Sequence, residues 1–112
     1  MATGYYVMKR ASNGQYHFTL HASNGEIILS SEMYASKASA ENGISSVQVN
    51  SPHEAQFGLK TSSNNQHYFV LNAKNHQVIG TSQMYSSESA AKKGIESVIK
   101  NGPSQDVRDL SV

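Results

Sequence analysis

Apolar and polar residues alternate along several short segments of this chain, and glycine or asparagine separates these segments. Residues 16–20 place Phe18 and Leu20 two positions apart, and residues 67–71 repeat this arrangement. A period of two predicts a strand with one buried face. The other predicted strands are residues 5–10, 26–31, 57–61 and 77–82.

Turn signals join these strands into hairpins. Asn13-Gly14 and Asn24-Gly25 lie between apolar segments, and such pairs favour tight hairpin turns because both residues tolerate a positive φ. His76 takes the place of Gly25 in the second half of the chain. Tolerance of a positive φ is a sufficient explanation of that histidine. Each group of three strands therefore predicts an antiparallel meander.

After the third strand the apolar pattern changes to the period of a helix. Small or apolar residues recur at spacings of three and four, which mark one face of a helix. They are Ala40, Gly43, Ile44 and Val47, and again Ala91, Gly94, Ile95 and Val98. Ser36 and Ser87 are predicted N-caps, and the prolines at 52 and 103 end the helices. A glycine inside a helix costs about 1 kcal/mol relative to alanine, so Gly43 and Gly94 predict a close approach of helix to sheet.

The whole pattern occurs twice. Residues 5–52 align without a gap on residues 56–103, and an internal repeat of this length determines the architecture. We predict an α+β fold in which two tandem β-β-β-α(-β) repeats share one antiparallel sheet, with two helices packed on it. The predicted organisation is a single domain, 1–112, with repeat one at 5–55, repeat two at 56–106 and a C-terminal strand at 107–112.

The same offset aligns that C-terminal segment with the first strand of each repeat. The strand after each helix is therefore predicted to be exchanged between the halves. The strand that opens repeat two is expected to pair with both halves and join them around a pseudo-two-fold axis.

The two copies share a signature that resembles the YegP-like tandem-repeat proteins of bacteria over about residues 5–110. The signature is Met33-Tyr34-x-Ser36 with Gly43-Ile44-x-Ser46-Val47-x-x-Asn50, and Met84-Tyr85-x-Ser87 with Gly94-Ile95-x-Ser97-Val98-x-x-Asn101. The resemblance implies one antiparallel sheet with helices packed on it and exchanged C-terminal strands. It implies no activity, because the family offers no catalytic residues to transfer.

Composition excludes several kinds of chemistry. The chain of 112 residues has no cysteine, which excludes a thiol nucleophile, a disulfide and a Cys-based metal site. Its net charge is +1, so no overall field selects a partner, although the second repeat has a mild basic bias. No signal peptide or apolar run of membrane-spanning length is visible. These features favour a cytoplasmic protein with no membrane partner.

The sequence predicts no enzyme, metal site or cofactor. His17 and His21 share one strand face, but positions i and i+4 of a strand lie about 13 Å apart, too far to bind one ion. No nucleophile elbow or phosphate-binding glycine loop occurs. We expect a small non-enzymatic binding or protein-interaction module, monomeric because its repeats pair internally. The alternative is a weak nucleic-acid-binding protein.

Four residues are the candidates for partner binding. Tyr34 and Tyr85 either close the entry of each helix, beside a methionine in the core, or present stacking faces to a partner. Lys92 and Lys93 on the second helix are either solvated or contact phosphates. The sheet face offers a second surface for nucleic acid, at His17, Thr19 and His21 and at Tyr68, Val70 and Asn72.

Overall fold

The computed structural model describes residues 4–111, and seven strands and two long helices make up this part of the chain. The strands are β1 (Tyr5–Arg10), β2 (Tyr16–His21), β3 (Ile27–Ser30), β4 (Phe57–Thr61), β5 (His67–Asn72), β6 (Val78–Thr81) and β7 (Val107–Asp109). The helices are α1 (Lys37–Asn50) and α2 (Glu88–Asn101), and a single 3₁₀ turn, Glu54–Gln56, precedes β4. The predicted α+β repeats are confirmed.

The hairpin turns adopt the backbone that their sequences require. Gly14 and Gly25 have φ values of 84° and 86°, and Asn65 and His76 have values of 65° and 68° at the matching turns. An asparagine side chain accepts a hydrogen bond at the turn as well, since Asn24 Oδ1 accepts from the Glu26 N–H at 3.0 Å. The histidine at position 76 is thus explained by turn geometry.

All seven strands form one sheet in the order β4-β5-β6-β3-β2-β1-β7. The repeats meet at the centre, where Ser30 of β3 pairs with Thr81 of β6. These two residues are equivalent under the repeat, as expected for pairing across a pseudo-two-fold axis. The prediction that β4 pairs with both halves is wrong: it pairs with β5 alone and lies at the edge. The repeats are joined by β3 and β6 instead.

The strands are exchanged between the repeats, as predicted. β4 follows α1 yet pairs with β5, and β7 follows α2 yet pairs with β1. The β1–β7 pair is parallel, so the sheet is antiparallel except at this one edge. Of the predicted strand 107–112, the sheet contains Val107–Asp109, and Val112 lies outside the described residues.

Each helix begins as its sequence predicts, and its predicted face is buried except at Ile95, which is half-buried. The Ser36 side chain accepts a hydrogen bond from the Ser39 N–H, and the Ser87 side chain accepts one from the Ala90 N–H. Side chains of both helices join those of the sheet in one apolar cluster. Its largest fully buried members are Tyr6, Met8, Phe18, Leu20, Leu29, Phe69 and Leu71. Neither helix within residues 4–111 is long and apolar enough to cross a bilayer.

Candidate functional site

The two candidate tyrosines are fixed by the backbone at equivalent places in the repeats. Tyr34 N–H donates to the Tyr16 carbonyl at 2.7 Å, and Tyr16 N–H donates back at 2.8 Å. Tyr85 and His67 exchange the same pair of hydrogen bonds, at 2.6 and 2.8 Å. Each tyrosine therefore pairs with the first residue of the second strand of its repeat, just before the helix begins.

The tyrosine rings lie in the gap left by the helical glycines. A Cβ added to Gly43 would lie 2.8 Å from Cζ of Tyr34, and one added to Gly94 would lie 2.8 Å from Cζ of Tyr85. Tyr34 also stacks on Phe18 at a centroid distance of 6.2 Å. The close approach inferred from the glycines is present, and a tyrosine ring fills it. Burial raises the pKa of both Tyr34 and Tyr85 above the usual range.

One part of the structural interpretation of these pairs is wrong. The methionine beside each tyrosine was expected to fill the core, but Met33 is 45% exposed and Met84 is 48% exposed. The bend between strand and helix directs the tyrosine inward, and its neighbour in sequence then points outward.

Lys92 and Lys93 are both exposed on α2, and glutamates surround them. Lys92 Nζ lies 3.6 Å from the Glu88 carboxylate one turn earlier. A shallow depression that contains both lysines is also lined by Glu88 and Glu96. Mixed charge of this kind weakens the positive potential that phosphates would need.

The four candidate residues do not form one site. Tyr85 and Lys93 line the same small cleft of about 220 Å³, beside Glu26 and Ile28 of the other repeat. Lys92 lines a different cleft, and Tyr34 belongs to the opposite half of the molecule.

On the outer face of the sheet in the first repeat, aromatic rings already contact other side chains of the protein. Tyr5 stacks on His21 with ring centroids 4.8 Å apart, and the Arg108 guanidinium lies 3.7 Å from the centre of the Tyr5 ring. His21 also exchanges a hydrogen bond with Thr19 at 2.9 Å. In this part of the face, the predicted stacking groups already have partners.

A further cleft, which was not among the predicted sites, lies between α2 and the edge strand β4. Its volume is about 400 Å³. Phe57 and Leu59 of the strand form one wall, and Ile95 and Ile99 of the helix form the other. Charged residues rim these four apolar side chains: Glu54, Lys92 and Glu96. An open apolar cleft with a polar rim is a usual place for a ligand or partner.

The equivalent cleft of the first repeat is closed. Tyr6 and Met8, which correspond to Phe57 and Leu59, are 0% and 1% exposed, whereas Leu59 is 37% exposed. The difference is the neighbouring strand, because β7 pairs with β1, whereas β4 ends the sheet formed by residues 4–111.

Two side-chain contacts hold the β7 segment against α1. Lys37 Nζ contacts the Asp109 carboxylate at 2.5 Å, and Gln48 Nε2 donates to the Ser104 carbonyl at 2.8 Å. The hydrogen bond from Lys37, together with those from Ser111, lowers the pKa of Asp109 to about 2. In α2, Glu88 takes the position of Lys37, and Ile99 takes the position of Gln48.

Sequence reasoning missed this cleft although a signal was present. The repeat contains three copies of the first strand for two copies of the helix, so the two ends of the sheet cannot be equivalent. The change from Gln48 to Ile99 places an extra apolar residue on the helix that lacks the covering strand.

Clustered titratable side chains do not define a metal centre in this part of the chain. Among residues 4–111, no group of three or more His, Asp or Glu side chains could hold a metal ion. The candidate surfaces are therefore best described by shape, apolar area and charge.

Fold and repeat together define a class: a pseudo-symmetric tandem-repeat α+β protein whose seven-stranded sheet carries two helices on one core. The model of a domain of unknown function, DUF1508, matches residues 11–57 and again residues 62–109. The chain belongs to this family of bacterial YegP-like proteins, which is uncharacterised. The resemblance in the sequence signature is thereby confirmed.

Close relatives extend over the full length of the chain. The UPF0339 protein YegP of Yersinia pestis is 68% identical over 112 residues, which is 100% of both chains. The solution structure of a UPF0339 protein from Shewanella oneidensis matches with a TM-score of 0.92 at 50% identity, covering 97% of this chain and 92% of that one. The solution structure of yegP from E. coli, described as a protein of unknown function, matches with a TM-score of 0.93 at 49% identity, covering 99% and 96%.

Proposed function

We propose that this protein is a non-enzymatic protein-interaction module that binds its partner in the cleft between β4 and α2. The observation that supports this proposal is the unequal covering of the two repeats. Leu59 is 37% exposed, whereas its equivalent Met8 is 1% exposed beneath β7. A partner segment on β4 would bury the apolar side chains that β7 buries on the other half.

The lining of the cleft supports binding over catalysis. Phe57, Leu59, Ile95 and Ile99 supply apolar surface, and the charged groups lie at the rim. A catalytic site instead needs a nucleophile, base or acid arranged around a reacting atom. The proposal therefore describes a monomeric protein that is not an enzyme. It has no cofactor and no membrane partner. A cytoplasmic location is part of the same proposal.

Nucleic acid is the less favoured partner. Lys92 is paired with Glu88, and Glu96 lies beside both candidate lysines. If nucleic acid nevertheless binds here, its affinity will fall steeply with salt, and Lys92→Ala together with Lys93→Ala will weaken it.

Site-specific photocrosslinking in the host bacterium tests the proposal. A photoreactive amino acid at position 59 should give a discrete protein adduct. The same group at Val49, which is 61% exposed on α1, should not. Ile99→Lys should abolish the adduct by placing a charge on the apolar wall, and Val49→Lys is the matched control.

Each outcome bears on the proposal. A protein adduct that depends on position 59 and on Ile99 supports it. Equal labelling from positions 59 and 49, or no adduct from either, overturns it. An adduct to nucleic acid, or one of twice the chain mass, replaces it with nucleic-acid binding or self-association.

A further inference from the structure

We propose that the cleft accepts an extended basic peptide, which adds to the sheet as a strand parallel to β4. This inference rests on the proposed function and specifies the partner's chemistry. Its template is internal to the molecule, because β7 already makes the same kind of addition to β1.

The backbone of β4 offers the groups that such a strand needs. In the first repeat, Tyr6 N–H donates to the Asp106 carbonyl, and the Met8 carbonyl accepts from Leu110 N–H, both at 2.8 Å. Leu59 is equivalent to Met8, so its N–H and carbonyl point to the same outer side of the sheet. Unpaired groups of this kind at an edge strand are a template for an added strand.

One difference sets where the added strand begins. Phe57 N–H, the equivalent of Tyr6 N–H, already donates to the Glu54 carbonyl in the 3₁₀ turn before β4. An added strand therefore pairs from the Phe57 carbonyl onward and lies beside Leu59.

Charge selects a basic peptide. The position of Lys37, which binds Asp109 of β7, is occupied by Glu88 in the second repeat. Glu54 and Glu96 line the cleft together with one lysine, Lys92. Glu88 lies beside the cleft, 3.6 Å from Lys92 Nζ, so three carboxylates face a single lysine even when that pair is counted. The residue that matches Asp109 in the added strand should therefore be lysine or arginine.

The second requirement for the bound peptide is an apolar residue that contacts the wall of the cleft. In the first repeat, Gln48 holds the start of the β7 segment by a hydrogen bond to the Ser104 carbonyl. Its equivalent Ile99 has no amide group and forms part of the apolar wall with Ile95 and Phe57. An aliphatic residue two positions before the basic one, as Val107 precedes Asp109, would lie against this wall because alternate side chains of a strand share a face.

A charge-swap titration tests the inference. The probe is a synthetic peptide of residues 104–111 carrying Asp109→Lys, added to the intact protein labelled with ¹⁵N. It should shift the amide signals of β4 and bind about fivefold more tightly than the unchanged peptide, as expected for one exposed ion pair. Glu88→Lys should reverse this preference. Lys93→Glu on the same helix is the control and should not reverse it.

Spin labels on the peptide test the direction of the added strand. In the parallel arrangement, a label at the peptide's N-terminus broadens signals near Phe57, and a label at its C-terminus broadens signals near Thr61. The opposite pattern overturns parallel addition, and binding without any preference for lysine overturns the charge assignment.

The proposed function and this inference fail in different ways. If the peptide leaves β4 unshifted while photocrosslinking at position 59 still captures a protein through Ile99, the inference is wrong and the interaction module stands. If the crosslink is also absent, both are wrong.

Discussion

Gly94→Ala is the substitution that most directly tests how helix, glycine and tyrosine fit together. The added Cβ would lie 2.8 Å from Cζ of Tyr85 and 2.9 Å from Cε2 of Phe69. Both distances are below the range in which real Cβ atoms contact their neighbours. The Phe69 ring has no free space to move into, since it is fully buried. The main chain of Tyr85 is held by two hydrogen bonds to His67, whereas its half-buried ring lines a cleft.

Two effects of opposite sign determine the change in stability. Alanine is better than glycine inside a helix by about 1 kcal/mol, while overpacking a well-filled core costs typically about 1–3 kcal/mol. Because the Phe69 ring is enclosed on all sides, we expect the upper part of that range. The net loss in the free energy of unfolding should then be about 1–2 kcal/mol, or a fall in Tm of several degrees.

Urea denaturation of four proteins separates the two effects. They are the wild type, Gly94→Ala, Tyr85→Leu and the double variant. Tyr85→Leu removes one of the two rings and leaves the contact with Phe69 at 2.9 Å, so Gly94→Ala should cost less in that background than in the wild type. Lys93→Gly, at an exposed position of the same helix, independently measures how much a helical glycine lowers the free energy of unfolding. The same cycle with Gly43 and Tyr34 should give a matching result in the first repeat.

Stabilisation by Gly94→Ala in the wild-type background would refute this reasoning. It would show that the helix lies far enough from Tyr85 to accept a methyl group. Equal effects of Gly94→Ala with and without the Tyr85 ring would refute the assignment of the contact, whatever their sign.

Three further predictions concern the contacts that join the repeats and hold the tail. Ser51 is fully buried, and its Oγ has no hydrogen-bond partner among residues 4–111, so Ser51→Ala should stabilise by about 1 kcal/mol in urea denaturation, and a loss of that size would contradict it. Tyr6 donates a buried hydrogen bond of 2.5 Å to the Gly102 carbonyl, so Tyr6→Phe should cost about 1–2 kcal/mol, with an unchanged midpoint as the contrary result. The pKa of Asp109 falls from 3.8 to about 2 on folding, so its contribution to stability is present above about pH 4 and is lost as the pH falls through 2. The difference in stability between wild type and Asp109→Asn should therefore vanish across that window, and a difference that persists below pH 2 would exclude the ion pair as its source.

The sequence predicted the local structure well because local rules determine it. Positive φ at Gly25 and His76, capping by Ser36 and Ser87, and the buried stripe of each helix all follow from residues close in the chain. The close approach at Gly94 was also predictable, since a helical glycine repeated in both copies needs a reason. The side chain that fills the gap was not predictable, because Tyr85 is placed against the helix by its pairing with His67.

Pairing between distant strands was the part that sequence could not determine. β1, β4 and β7 share one pattern, so the alignment alone does not say which of them has two neighbours. In the structure that strand is β1, which lies between β2 and β7. β4 has β5 alone.

The candidate site follows from this inequality between the edges. Two identical repeats would cover both edges or neither, and then no cleft would distinguish them. A single β7 buries Met8 and leaves its counterpart Leu59 exposed. The residues that would meet a covering strand have also diverged: Lys37 corresponds to Glu88, and Gln48 corresponds to Ile99. A second copy of β7 would place its aspartate against Glu88, so the edge that lacks a strand is complementary to a segment of different charge.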